Sequence, residues 1–345
     1  MTLVLAVALV LSACGAPATE VAPVTQAPAT EAPTAAPTVP PAPAKPFRVA
    51  VVMPSAINDL AFSQSMYDAL VRIQTEMGGP GKFEFVYSEN MFVVDDAAAA
   101  IRDYATQGYD LVIAHGSQYG SSLQEIAPDF PKTSFAWGTT VDTFGQPNIF
   151  AYEAASQEGG YVNGVLAATL STSKVIGVVG PIETGDAKLY VDGFKAGVKA
   201  TNPDIDVRVS YIGSFSDVAL ASEAATTQIA AGADALTGTA QMVVGAIGKA
   251  EEANVLWFGT QSNQSSLAPS IVVASQVYHW EVVLKEMISK IQAGTLGGES
   301  FRANLANGGE VIEFNPDYAL SAEAKSLAET TIKGIIDGTI KITLP

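Results

Sequence analysis

The chain has 345 residues, 48% hydrophobic and only 15% charged, with 18 basic against 35 acidic side chains and a formal net charge of −17. That balance argues against nucleic acid as a partner, because binding phosphates takes clustered Lys and Arg. The acidity reads as a solubility device of an exported protein, and a single cysteine leaves no disulfide framework.

The chain opens on an apolar run from Met1 to Val10. It is shorter than the roughly twenty residues a membrane-spanning helix needs, and it reads as the core of a signal peptide, although no Lys or Arg precedes it. Leu11-Ser12-Ala13-Cys14 looks like a bacterial lipobox, so residues 1–14 form a lipoprotein signal and Cys14 is the expected lipidation site. Two acyl chains on that thiol would suffice for anchoring at the extracytoplasmic face of the cell membrane. Residues 15–46 are rich in Pro, Ala and Thr. This composition cannot bury a core and favours extended polyproline conformations, so the segment reads as a semi-stiff tether.

Roughly 300 residues remain, enough for two domains. Phe47 to Met53 reads as a buried strand, and Leu60 to Met77 carries Phe62, Met66, Leu70 and Ile73 at helical spacing. A strand at 82–87 follows, then a helix from Asp95 to Gln107 with Asp95 as its cap. Strands are expected at 110–114, 133–137 and 148–152, with a short helix at 121–126. The pattern then restarts. Helices are expected at 157–170, 189–200, 218–231, 241–252, 280–293 and 321–336, and strands at 175–179, 206–211, 233–236, 255–258, 270–274 and 310–314. Such alternation means parallel sheets covered by helices on both faces, here in two Rossmann-like lobes. The first lobe is expected over 47–154 plus part of 275–310, the second over 155–274 plus part of 311–345.

Ligands of open α/β sheets sit beyond the carboxyl ends of the strands. Two facing lobes turn that edge into a cleft, so the residues just past each strand are its candidates. After the first strand these are Asn58, Asp59 and Phe62, where Asn58 and Asp59 read equally as helix caps. After the third comes His115-Gly116-Ser117-Gln118-Tyr119, in which Ser117 and Tyr119 offer hydrogen bonds and His115 is a structural donor. Trp137 is a core plug or a ring platform. In the second lobe Asp186 follows one strand, Phe215 and Asp217 the next, and Gln241 and Gln261 two more. Aromatic, amide and small polar groups suit a flat heteroaromatic ligand. No catalytic set emerges: His115 and His279 lack metal-ligand spacing, no Gly-rich loop ends in Lys-Ser or Lys-Thr, and no cofactor or metal is expected.

The residues Asp59-Leu60-Ala61-Phe62-Ser63-Gln64 resemble the Asp-x-x-Phe-Asn-Gln signature of the basic membrane protein family of ABC-transporter lipoproteins. Residues 157–164 are similar to its Glu-Glu-Gly-x-Tyr-Leu-Ala-Gly segment. Residues 193–198, Asn202-Pro203, 211–217 and 259–264 follow in order, and the resemblance spans nearly all of 47–340. It implies a type I periplasmic-binding-protein fold and purine nucleoside binding, with Asp59 and Phe62 as contacts and Phe62 stacked on the purine. Two positions depart from it: Gln261 stands where the family has Asp, and Tyr278, followed by Trp280, stands where it has Lys. The missing groups look ribose-directed, so a free purine base is an expectation beside a nucleoside. The chain is expected to be a monomeric receptor that serves a membrane permease and an ATPase. A ligand-sensing signalling lipoprotein and a nucleoside-hydrolysing enzyme are the alternatives.

Overall fold

A computed structural model describes residues 45–344. The signal peptide, Cys14 and all but the last two tether residues lie outside the described residues. The chain runs β1 (Phe47–Val52), α1 (Phe62–Glu76), β2 (Phe83–Ser88), α2 (Val94–Thr106), β3 (Leu111–His115), α3 (Gly120–Ile126), β4 (Ser134–Gly138) and β5 (Ile149–Ala154). It continues with α4 (Gln157–Leu170), β6 (Val175–Gly180), α5 (Gly185–Thr201), β7 (Asp206–Tyr211), α6 (Val218–Ala230), β8 (Ala235–Gly238), α7 (Val243–Glu252) and β9 (Leu256–Gly259). Last come β10 (Val272–Tyr278), α8 (Glu281–Gln292), β11 (Ser300–Ala303), β12 (Glu310–Phe314) and α9 (Ala322–Ile336).

The strands form two six-stranded sheets, ordered β11-β5-β4-β3-β1-β2 and β12-β10-β9-β8-β6-β7. All neighbours are parallel except β10 and β12. Strands covered on both faces must be apolar throughout, and β3 and β4 are wholly buried. Helices α1 and α8 cover one face of the first sheet through Met66, Leu70, Leu284 and Met287. Helices α2 and α3 cover the other through Ile101 and Leu123. Around the second sheet, α4, α5 and α9 bury Leu166, Phe194 and Ala328, and α6 and α7 bury Ala225 and Ile247.

The chain passes between the sheets after β5, after β10 and after β11. These crossings are tied together. Ala155 N–H donates to the Ala303 carbonyl at 2.7 Å and His279 N–H to that of Gly309 at 2.9 Å. Buried Glu310 accepts from Gly159 N–H at 2.9 Å, and Glu158 from Leu305 N–H at 2.9 Å.

Three local expectations need correcting. Asp95 does not cap α2; it sits in the first turn, and Val93 takes the cap position without a side-chain bond. The strand expected at 270–274 instead runs from Val272 to Tyr278, because Ala274 to Tyr278 pair antiparallel with β12. β11 escaped the sequence reading: it has four residues, one of them Arg302, and exists by pairing with β5 at the sheet edge.

Helices α4 and α5 pack backbone to backbone. A Cβ at Gly164 would lie 2.2 Å from the Phe194 carbonyl oxygen, and one at Gly197 would lie 2.1 Å from that of Tyr161. The glycines that carried the family resemblance here therefore set an interhelical distance. Gly164→Ala forces overpacking and is expected to destabilise by about 1–3 kcal/mol. Gly248→Ala in α7 meets open space and should stabilise by about 0.5–1 kcal/mol. Urea midpoints of both variants check this; equal shifts would show that the α4–α5 spacing is not the constraint.

Candidate functional site

Between the carboxyl edges of the two sheets lies a cavity with about 420 Å³ of atom-free space, counting its open mouth. The first lobe lines it with Phe62, Phe92, Ser117, Gln118 and Thr139. The second lobe supplies Asp186, Phe215, Ala240, Gln241 and Gln261. Ala240 and Gln261 adopt φ of +79° and +69°, unusual for residues with a Cβ. Such conformations cost of order 1–3 kcal/mol and gather at ligand sites.

Phe62 opens α1 and is 8% exposed. Its ring lies 3.8 Å, centroid to centroid, from the His115 ring, with the planes 8° apart. His115 Nε2 is 3.1 Å from the Phe62 carbonyl oxygen, which can only accept, so Nε2 carries the proton. Nδ1 then accepts from the Tyr152 hydroxyl at 2.7 Å. Burial pushes His115 down to about 3 and the carbonyl contact opposes this only weakly, so the imidazole is neutral. One face of Phe62 is thereby fixed to the first lobe.

Among the described residues Asp186 is the only ionisable side chain lining the cavity. Its Oδ1 accepts from Thr139 Oγ1 at 2.9 Å and its Oδ2 from the Tyr278 hydroxyl at 3.1 Å. Tyr278 has spent its proton there, so Ser156, 2.7 Å away, donates to the Tyr278 oxygen. Burial raises the Asp186 carboxyl above its usual range, against the lowering effect of these hydroxyls. The Thr139 bond also joins the lobes. Ser262 Oγ donates to the Ala61 carbonyl at 3.0 Å and Gln264 Nε2 to that of Leu60 at 3.2 Å, closing the lobes further. Gln241 Oε1 and Gln261 Oε1 are buried without a partner in the protein.

Of the residues singled out from sequence, Phe62, Ser117, Phe215 and Gln261 meet in this cavity; the others lie outside its lining. Asn58 is exposed on the loop before α1. Asp59 folds back onto α1 and accepts from the N–H groups of Ala61, Ser63 and Gln64 at 2.8–3.1 Å. Tyr119 is buried and donates to the Met91 carbonyl at 2.7 Å. Trp137 is buried too, donates to the Gly116 carbonyl at 3.2 Å and stacks on Phe144 at 4.7 Å. Asp217 caps α6 by accepting from Leu220 N–H at 2.9 Å. Tyr278 supports Asp186 from behind, and Trp280, bonded to Ser65 at 2.9 Å, packs edge-on against Phe62 and Tyr152.

Gln118, Asp186 and Gln241, which follow strands in the sequence, line the cavity as well. Their signal was position alone, and a buried carboxylate in a neutral lining is not visible in sequence. Thr139 and Phe92 gave less: Thr139 lies one residue past β4, and Phe92 is a 39% exposed apolar side chain in a loop. Among the described residues no helix is long and apolar enough to cross a membrane. No group of His, Cys, Asp and Glu among them could hold a metal ion.

A family model described as ABC transporter substrate-binding protein, PnrA-like, matches residues 47–344. A purine-binding protein of Brucella abortus is 26% identical over 74% of this chain and 72% of its own length. The transcriptional activator protein Med of Bacillus subtilis is 25% identical over 76% and 80%. A solved solute-binding protein of an ABC transporter system from Aeropyrum pernix superposes with a TM-score of 0.75 at 20% identity, covering 87% of this chain and 94% of that one. The likeness places the two lobes in the type I periplasmic-binding fold.

The neutral state of His115 sets a pH dependence. Unfolded, His titrates near 6.5; folded, at about 3. Its contribution is complete above pH 6.5 and is lost as pH falls toward 3, by about 1.4 kcal/mol per unit. His115→Gln keeps one donor and one acceptor but does not titrate. The stability gap between wild type and variant, read by urea unfolding from pH 7.5 to 4.5, should shift against the wild type on acidification. A constant gap would mean that His115 takes up its second proton as readily in the fold as in the unfolded chain.

Proposed function

We infer the ligand from one premise: the chain belongs to the PnrA-like substrate-binding proteins of ABC transporters, the Bmp family. It captures a purine, as the base or the nucleoside, between its lobes and hands it to a permease driven by an ATPase, without chemical turnover. The observation that carries this is the pairing of Phe62 from one lobe with Phe215 from the other in a single cavity, among amide side chains. Aromatic faces stack on a flat heterocycle, and amides read its polar edge. The name of the Brucella relative supports the same ligand class. We further propose that Cys14 is lipidated and that residues 15–46 tether the domain to the extracytoplasmic membrane face. The Bacillus relative favours a second reading, in which the same cleft senses its ligand and signals.

A thermal-shift panel tests the ligand class, since a ligand that binds only the folded state raises the melting temperature. Purine bases, nucleosides or both should shift the full chain, and sugars and amino acids should not; the reverse would remove the purine assignment. Phe215 is only half-buried, so Phe215→Ala should weaken purine binding by about 1–3 kcal/mol with little loss of stability. Cys14→Ser should move the protein from the membrane to the soluble fraction with its binding intact, and continued membrane retention would remove the anchor.

A further inference from the structure

The cavity is short of positive charge. Asp186 offers a carboxylate, and among the described residues no Lys, Arg or His lines the space to neutralise it. What stabilises the charge is the Thr139 and Tyr278 hydroxyls and a position in the first turn of α5. The positive end of that helix favours an anion there. Gln241 and Gln261 each hold a buried acceptor oxygen without a protein partner, and Gln261 is 3% exposed. A ligand that satisfies this wall must bring N–H or O–H groups to it, because a buried acceptor left alone costs about 1–3 kcal/mol.

We propose that Asp186 is the specificity-determining residue, accepting the N9–H of a free purine base and so discriminating against N9-substituted purines, nucleosides included. This rests on the purine reading above. Behind the carboxylate stands the Tyr278 hydroxyl, itself backed by Ser156, and both residues are buried. A substituent at the nitrogen facing Asp186 therefore meets the carboxylate at hydrogen-bond distance and has no route past it. Loss of the N–H leaves a desolvated carboxylate facing carbon, the kind of polar mismatch that protein sites reject strongly. Tyr278 and Thr139 act as positioning residues that hold both carboxylate oxygens. A charge-assisted bond to a ring N–H lowers the elevated carboxyl pKa, so binding strengthens as pH rises through it.

The test is calorimetric titration of the full chain with adenine, 9-methyladenine and adenosine. Wild type should bind adenine at least tenfold more tightly than the other two. In Asp186→Ala the adenine affinity should fall at least tenfold and 9-methyladenine change little, so their ratio approaches one. Asp186→Asn keeps the shape and one acceptor oxygen; it should give an intermediate ratio and decides the matter if the alanine variant does not fold. An adenine to 9-methyladenine ratio unchanged in both variants, or near one in wild type, overturns the Asp186 assignment while leaving the purine reading in place. Wild type that binds no purine at all removes the reading on which the assignment rests.

Discussion

A parallel sheet delivers all its strand-to-helix turns to one edge, and two such edges closed on each other dry a band of polar groups that must then find partners. The rest of this cleft follows from that constraint. Thr139 reaches Asp186, Ser262 reaches Ala61 and Gln264 reaches Leu60, each bond running from one lobe to the other. The protein satisfies its own turns first: Asp59 is consumed at the start of α1 and Asp217 at the start of α6. Two acceptor oxygens left over, on Gln241 and Gln261, line the same cavity as Asp186, its only carboxylate among the described residues. The site is thus what remains after the turns have been stabilised.

That order explains which parts were legible in the sequence. The lobes, the sheet type and nearly every element could be read because strands buried on both faces are apolar runs and the helices between them are amphipathic. Phe62 and Phe215 could be listed because each follows a strand, although Phe62 also holds a core position of α1. Asp59 and Asp217 look alike in sequence whether they cap a helix or touch a ligand, and only backbone N–H geometry separates the two. Tyr119 and Trp137 were ambiguous for a related reason: a ring with one polar atom is equally at home in a core that offers it a carbonyl, and both found one. Asp186 was the opposite case, an ordinary acidic residue after a glycine whose importance comes from the neutral wall around it.

The segment from Ser275 to Trp280 departs from the family pattern and turned out to be structural. Tyr278 and Trp280 do not line the cavity. With His115 and Tyr152 they form an aromatic wedge at the base of the cleft: Trp280 lies 4.8 Å from Tyr278, 5.4 Å from Tyr152 and 5.8 Å from His115. Its burial makes the ionised forms of His115 and Tyr152 costly, so the wedge stays uncharged near neutral pH. A lysine at position 278 would place a cation among these rings; a tyrosine instead extends them and spends its single proton on Asp186.

The close packing of α4 on α5 has a mechanical consequence. α4 begins three residues after β5 ends, at the first crossing between the sheets, and Gln157 in its first turn touches α5 at Gly193. Asp186 lies seven positions earlier on α5, about 10 Å along its axis at 1.5 Å per residue. Two helices in backbone contact have no compliant side-chain layer between them, so α5 is held stiffly against the crossing. The reach of Asp186 into the cleft is then set by backbone contact rather than by side-chain packing, and a substitution that spreads α4 from α5 would be felt at the carboxylate.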